Sequence, residues 1–499
     1  MQRLLRWFGT LRPIHTIFIL YVIHVLVIFL FLSLPICWKT GVLGVSWIDT
    51  IFIAVSVIST SGLSPINNTE VYNFLGEIVI MIGVQMGGLG YMIIGSYAIL
   101  ASKGHISDNR INIGRAIFSM PSQFKSTVFL KHIIAFTFSI EAIGTILLWQ
   151  AFTEEQVPNP FWTALFHSVN SFCTAGFSTF SNSLESFSGN IKINVIVMIL
   201  SLLGAIGFIV LDDFSRALYR AINYEPGSSG SNIKFRATLT TRIILVSTLA
   251  AVLIGTVLLF FDSTITQLPI KDRLLAAFFQ TVSATTTSGF CTYPIGNFSA
   301  ATTMIIIILV ILGASPCGTG GGLKCTTWSA AIGTILSSLH GRNEITFFGC
   351  VIPHGRINAA FAAFALYLIT FSVGAYLLLS FEKHQFEDIV LETASALSTV
   401  GLSGGITSEL TIAGKIIIIL IMFMGRFGVL SFALVAVAMY HENISPQQDN
   451  ITITQNKEKE FSKQQETKSQ FQQTPTKQNE EVKEEIVEEQ NDEMNELVL

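Results

Sequence analysis

A five-residue pattern recurs four times along the chain, and its spacing limits the possible folds more than any other feature. The copies are Thr60-Ser61-Gly62-Leu63-Ser64, Thr174-Ala175-Gly176-Phe177-Ser178, Thr287-Ser288-Gly289-Phe290-Cys291 and Thr399-Val400-Gly401-Leu402-Ser403. Successive glycines are 114, 113 and 112 residues apart. Six residues before each glycine stands a small polar residue (Ser56, Asn170, Ser283, Ser395), and ten before it a Phe or Leu (Phe52, Phe166, Phe279, Leu391). One Thr-x-Gly carries almost no information, but four at a near-constant period mark tandem structural units.

Composition says where those units reside. Hydrophobic residues make up 51% of the 499 positions and charged residues only 12%, against roughly 25% charged in a soluble domain. The net charge of -4 is set by the last 58 residues, which hold 14 acidic and 6 basic side chains and leave 19 against 23 in the rest. The chain therefore reads as a polytopic membrane protein. Eight uncharged apolar runs begin near Ile14, Ile78, His132, Ile193, Ile243, Thr302, Ala359 and Lys415, and a bilayer core needs about 20 such residues per helix. The first run is too long for a signal h-region and lacks a small-residue cleavage site, so it is expected to be retained. Lys and Arg number 16 in the N-terminus and segments 103–131, 216–242 and 324–356, but 6 in the opposite segments, Lys415 included. That bias places both termini in the cytoplasm. The six cysteines form no CxxC pair, so neither a disulfide framework nor a zinc site is expected.

The apolar stretch before each glycine, as in 48–58 or 162–172, is too short to span and is expected to enter and leave from the outer side. Non-helical backbone at membrane depth survives only when buried in protein or lining water. The expected fold is thus all-α: four tandem membrane-pore-membrane repeats, with eight spanning and four re-entrant helices around a pseudo-fourfold axis. Their bounds are 14–100, 127–214, 241–339 and 356–441, followed by a disordered acidic cytoplasmic tail over 442–499. Carbonyls of Thr60, Ser61, Gly62, Thr174, Ala175, Gly176, Thr287, Ser288, Gly289, Thr399, Val400 and Gly401 would replace a cation's hydration shell. A small monovalent cation fits best. Glycines that merely allow tight helix packing would explain one copy, not a shared threonine and a shared period.

The second helix of each unit carries a further matched feature: Met86-Gly87-Gly88, Leu203-Gly204-Ala205, Leu312-Gly313-Ala314 and Met424-Gly425-Arg426. Arg426 is the charged member of this set, and an arginine in mid-membrane costs at least about 2.5–3.5 kcal/mol unless it faces protein or water. On the axis it would repel cations; alternatively it pairs with Glu141, Glu77 or another carboxylate. The third unit is broken over residues 313–324, where Gly313, Ser315, Gly318, Gly320, Gly321, Gly322 and Lys324 form a candidate gate. Five glycines and a proline cannot continue a helix. A phosphate-binding loop is excluded by spacing, since Leu323 separates the last glycine from Lys324 and Cys325 follows.

These residues resemble the Trk/Ktr/HKT superfamily of potassium transporters over about residues 14–441, and among them the Ktr-type membrane subunit. The resemblance implies that Gly62, Gly176, Gly289 and Gly401 are filter glycines binding potassium as substrate, that 313–324 is an intramembrane gating loop, and that Arg426 blocks the pore. It further implies a homodimer in a bacterial inner membrane, resting on a cytosolic ring of RCK-type nucleotide-binding regulatory subunits. Nucleotide is expected only on that partner; no cofactor in this chain and no nucleic-acid partner is expected. The acidic tail departs from the family pattern.

Two rival classes weigh less. A membrane enzyme needs a nucleophile with a positioned base or a metal cluster, and the nine histidines are dispersed. A transporter built from inverted repeats conflicts with four units running in one direction. The topology yields a direct expectation: a periplasmic reporter fused near residue 188 is active and one fused at 441 is silent, with a cytoplasmic reporter giving the reverse.

Overall fold

The computed structural model describes residues 13–42, 44–101, 126–222, 237–342 and 344–429. The expected tail at 442–499 lies outside them, as does most of two of the basic segments. Helices occupy each of the eight apolar runs: α1 (Pro13–Leu32), α3 (Phe74–Ala101), α4 (Ser126–Glu154), α6 (Ile191–Ala205), α8 (Leu239–Phe260), α10 (Ala300–Leu312), α12 (His354–Phe381) and α14 (Ile412–Phe427). Four shorter helices precede the Thr-x-Gly loops: α2 (Trp47–Ser59), α5 (Pro160–Phe172), α9 (Ile270–Thr286) and α13 (Phe386–Ser398). Two more follow breaks, α7 (Phe208–Ile222) and α11 (Cys325–Leu339). The one sheet among the described residues is a hairpin of β1 (Thr346–Phe347) and β2 (Cys350–Val351).

By length and apolar composition, Lys131–Glu154, Leu239–Phe260 and His354–Phe381 can each cross a membrane, and Ile191–Ala205 with Phe208–Ala217 forms a pair bent by 95°. Breaks shorten the second helices of the second, third and fourth units. The sequence pointed to one broken helix, yet α6 also stops at Ala205, with Gly207 at φ 91°, and α14 stops at Phe427, with Gly428 at φ 85°. In the third unit Gly313 takes φ 66°. Only α3 runs on through its glycines.

Each short helix packs against both helices of its own unit and against the second helix of the unit before it: α5 on α3, α9 on α6, α13 on α10, and α2 on α14. The last pairing returns the end of the chain to its beginning. Phe52, Phe166, Phe279 and Leu391, which the sequence aligned, are all buried in these contacts. Gly87, Gly204 and Gly425 lie where a Cβ would strike the carbonyl of Ile58, Phe172 or Leu397. Small residues at these points allow close backbone approach, the usual route to tight helix packing in lipid.

Outside the apolar layer, Asp262 holds the start of α10. It accepts hydrogen bonds from Ser299 Oγ at 2.6 Å and Thr302 Oγ1 at 2.5 Å, and also from the Thr264 amide at 2.7 Å and the Thr264 hydroxyl. Burial pushes this carboxyl up, but the hydrogen bonds from Ser299, Thr264 and Thr302 outweigh it and bring the pKa down to about 2. A depressed folded pKa gives stability that is complete above the unfolded value of about 3.9 and is lost as pH falls through the folded one. Asp262→Asn is therefore expected to cost about 1–3 kcal/mol at pH 7. In thermal melts the gap from wild type should narrow below about pH 4 and close toward pH 2.

Candidate functional site

The four short helices end in the same way. Thr60, Thr174, Thr287 and Thr399 adopt φ 53°, 52°, 58° and 51°. In each case the threonine N–H bonds three residues back and the next N–H bonds five residues back. These latter bonds are Ser61 N to Ser56 O (2.8 Å), Ala175 N to Asn170 O (2.9 Å), Ser288 N to Ser283 O (3.0 Å) and Val400 N to Ser395 O (2.9 Å). This is a Schellman cap, whose left-handed position normally belongs to glycine. A β-branched residue there costs roughly 1–2 kcal/mol, so four threonines in that conformation are held by their surroundings. The aligned polar residue six before each glycine supplies the accepting carbonyl.

The loops then meet in a cycle. A Cβ on Gly62 would strike the Ala175 carbonyl, one on Gly176 would lie 2.8 Å from Ser288 O, one on Gly289 would strike Val400 O, and one on Gly401 would strike Ser61 O. Each of these added carbons would also sit 3.1–3.4 Å from the Cα of the next glycine in the cycle. The glycines have φ of 81°, 69°, 75° and 97°, so conformation and contact both exclude a side chain. The twelve residues named from sequence as a binding ring are thus brought to one place.

The glycine-rich segment 313–324 lies against these loops. Gly321 N donates to Thr287 Oγ1 at 2.8 Å, and Thr174 Oγ1 is 3.4 Å from Thr319 Oγ1. A Cβ on Gly321 would strike Ser398 O and Thr399 Oγ1. The segment also caps the broken span: Ser315 N bonds Ala205 O (3.1 Å), Thr319 N bonds Gly204 O (3.0 Å), and Phe208 N bonds Cys317 O (3.0 Å). Carbonyls left over at the end of α6 and an N–H at the start of α7 thereby find partners. Lys324 Nζ reaches back to Gly320 O, and Lys324 itself takes φ 76°.

Arg426 is buried at 8% exposure and joins this assembly. It donates to Thr319 O at 2.5 Å and to the carbonyls of Gly87 and Gly88. The carboxylates considered as its partners have other bonds: Glu141 accepts from Gln85 Nε2 at 3.2 Å, and Glu77 accepts from Trp162 Nε1 at 2.6 Å. Cys173 also contacts Glu141, at 3.9 Å, and Cys291 contacts Glu185, at 3.8 Å. Thr319 was not singled out from sequence, although its hydroxyl bonds Phe172 O at 2.8 Å and its carbonyl receives Arg426. It is the one hydroxyl residue within 318–322, and that was the available signal.

The four loops thus meet glycine against carbonyl, with the buried Arg426 guanidinium on the carbonyls of Thr319, Gly87 and Gly88 beside them. Residues 39–446 match the TrkH family, described as cation transport protein. Among curated proteins, the chain is 31% identical to Ktr system potassium uptake protein B of Bacillus subtilis, covering 78% of this chain and 85% of that one. It is 30% identical to the protein of the same name from Vibrio alginolyticus (81% and 86%) and 30% identical to potassium/sodium uptake protein NtpJ of Enterococcus hirae (80% and 87%). The crystal structure of the potassium transporter TrkH from Vibrio parahaemolyticus shares the fold with a TM-score of 0.62 at 20% identity, covering 83% of this chain and 84% of that one. The chain belongs to the TrkH cation transport family. It is a membrane cation transport protein and not an enzyme.

The contact between Thr287 and Gly321 gives a clean test of how the glycine segment is held. Thr287→Val keeps the shape but strands a buried N–H, which costs about 1–3 kcal/mol, whereas Thr287→Ser keeps the acceptor. Melting of the purified protein should drop for valine and stay close to wild type for serine.

Proposed function

We propose that this chain is the pore subunit of a potassium uptake system and that the cycle of residues 60–62, 174–176, 287–289 and 399–401 is its selectivity filter. The observation that carries this reading is the closed order of contacts, in which each glycine abuts the carbonyl of the loop that follows it. Carbonyls fixed around one axis replace water on a dehydrated monovalent cation. The buried hydroxyls of Thr60, Ser61 and Thr399 have no hydrogen-bond partner among the described residues, which leaves oxygen lone pairs next to that axis. Four tandem repeats of two spanning helices and one re-entrant helix, with both termini cytoplasmic, are the arrangement that this reading requires.

The gate in this proposal is the segment bearing Gly313, Ser315, Gly318, Gly320, Gly321, Gly322 and Lys324, locked by Arg426 through Thr319. Opening separates Arg426 from the Thr319 carbonyl and frees the N–H groups that cap α6. The potassium uptake in the names of the Bacillus and Vibrio relatives supports potassium as the substrate. The words Ktr system support a complex of more than one subunit, and we extend this to a homodimer on an RCK-type ring in a bacterial inner membrane. A second reading, sodium or mixed monovalent cation transport through the same architecture, is favoured by the name of the enterococcal relative.

Rubidium and potassium uptake in cells lacking other potassium systems tests the assignment. Wild type should restore growth at low potassium. Gly62→Ser, at the same level in the membrane, should lower potassium-over-sodium discrimination by about tenfold, or about 1.4 kcal/mol. Unchanged selectivity in the variant would remove the filter assignment, and sodium uptake by wild type comparable to its potassium uptake would favour the second reading.

A further inference from the structure

Nine residues before the glycine of each loop, on the short helix, stand Ile53, His167, Gln280 and Glu392. All four are 0% exposed. Three of these buried side chains are polar, and each of the three reaches the limb of chain that leaves the ring on its own loop. His167 Nε2 is 3.0 Å from Ser178 Oγ, Gln280 Nε2 donates to Tyr293 O at 2.8 Å, and Glu392 Oε1 accepts from Thr407 Oγ1 at 2.6 Å. The partners stand two, four and six residues beyond Gly176, Gly289 and Gly401.

The surroundings fix the direction of these bonds. His167 Nδ1 faces Thr163 O at 2.8 Å, so it carries the ring hydrogen and leaves Nε2 to accept from the Ser178 hydroxyl. Ser178 Oγ in turn accepts from Phe180 N at 3.0 Å and lies 3.2 Å from Ser183 O. Ser403 bonds the Glu392 carboxyl alongside Thr407, and its Oγ is 3.0 Å from Thr407 Oγ1. The first loop is built otherwise. Ile53 joins the apolar core, and Ser64 bonds within its own limb, to Ile66 O at 2.7 Å and to Asn68 Oδ1 at 3.1 Å.

Ile53 demonstrates that an apolar side chain fills this position. A buried polar group costs about 1–3 kcal/mol unless it is bonded, so packing alone favours the isoleucine. An imidazole, an amide and a carboxyl share little except reach and a hydrogen bond, and all three direct that bond to the same target. We infer that His167, Gln280 and Glu392 are positioning residues for ion selection. Each ties its short helix to the chain leaving the ring, and so holds the carbonyls of residues 174–176, 287–289 or 399–401 at a set distance from the axis. The inference rests on the filter reading above. Discrimination by a carbonyl ring depends on how many carbonyls face the ion and how far they can follow a smaller one; a tied limb follows least.

The test measures potassium and sodium uptake, together with melting of the purified full-length protein, for variants that cut a tie away from the ring. Thr407→Val removes the hydroxyl that Glu392 holds and keeps its shape, Thr407→Ser keeps the hydroxyl, and Gln280→Met removes the amide donor. Valine and methionine should lower potassium-over-sodium discrimination about three- to tenfold, the size of one neutral hydrogen bond, while serine should stay at the wild-type value. Ile53→Val, at the untied position, should leave discrimination unchanged. If Gln280→Met does not fold, Ser178→Ala cuts the second tie from its other end and should give the same loss. Discrimination that holds at the wild-type value in Thr407→Val and Gln280→Met, or that falls equally in Thr407→Ser, would overturn the inference. A lower melting temperature with selectivity intact would make the ties structural only, which overturns it as well. Gly62→Ser is measured alongside: if it alone changes selectivity, the filter reading stands and the ties fall, and if no variant changes it, both fall.

Discussion

Everything near the centre of this protein depends on four backbone contacts, in which a glycine of one loop lies on the carbonyl of the next. Such contacts leave no room for a methyl group, and they fix the four short helices in angle as well as position. The helices answer with matching ends. Each is capped by a threonine in a conformation that glycine would adopt without strain. At two of the four caps the hydroxyl helps to offset the cost, roughly 1–2 kcal/mol per residue: Thr287 accepts from Gly321 N, and Thr174 reaches Thr319. Glycine at positions 287 and 174 would relax the backbone and lose both links.

The glycine segment serves two masters. It stands against the loops on one side, and on the other it terminates α6 and starts α7 with hydrogen bonds that a continuous helix would have supplied itself. A broken span in lipid is tolerated only when its freed groups are satisfied by protein or water. Here protein satisfies them, so the break in the second unit and the break in the third are one structure shared between two units. Arg426 adds a third unit by bonding Thr319, and a fourth through Gly87 and Gly88.

Much of this was legible in the residues. The period of the Thr-x-Gly pattern placed the loops, and the apolar runs placed the long helices within a few residues. The aligned Ser56, Asn170, Ser283 and Ser395 marked the carbonyls that close each cap. What escaped was decided by contacts between units. The bend at Gly207 is invisible locally, because Leu203-Gly204-Ala205-Ile206-Gly207 is no worse a helix than Met86-Gly87-Gly88-Leu89-Gly90, which stays helical throughout; Ser315 and Thr319 dock only onto the former. Arg426 was legible as a buried cation, but its carbonyl partners were not, since a carboxylate is the commoner expectation for a charge in lipid. Sequence spacing also gave no hint that Asp388 and Glu392 would lie against residues 403–407.

The cycle has one seam that differs from the others. Three of its joins link neighbouring units, whereas the fourth brings α14 back onto α2 and carries the ion pair of Lys415 with Asp49, 366 residues apart at 2.7 Å. At about 5–20 residues per second, the ribosome needs roughly 20–70 s to deliver the second half of that join. Until then Asp49 and the face of α2 that packs on α14 have no counterpart. The seam between the first and last units is therefore the last of the four joins whose two halves both exist, and the first loop to be made is among the last to find its place.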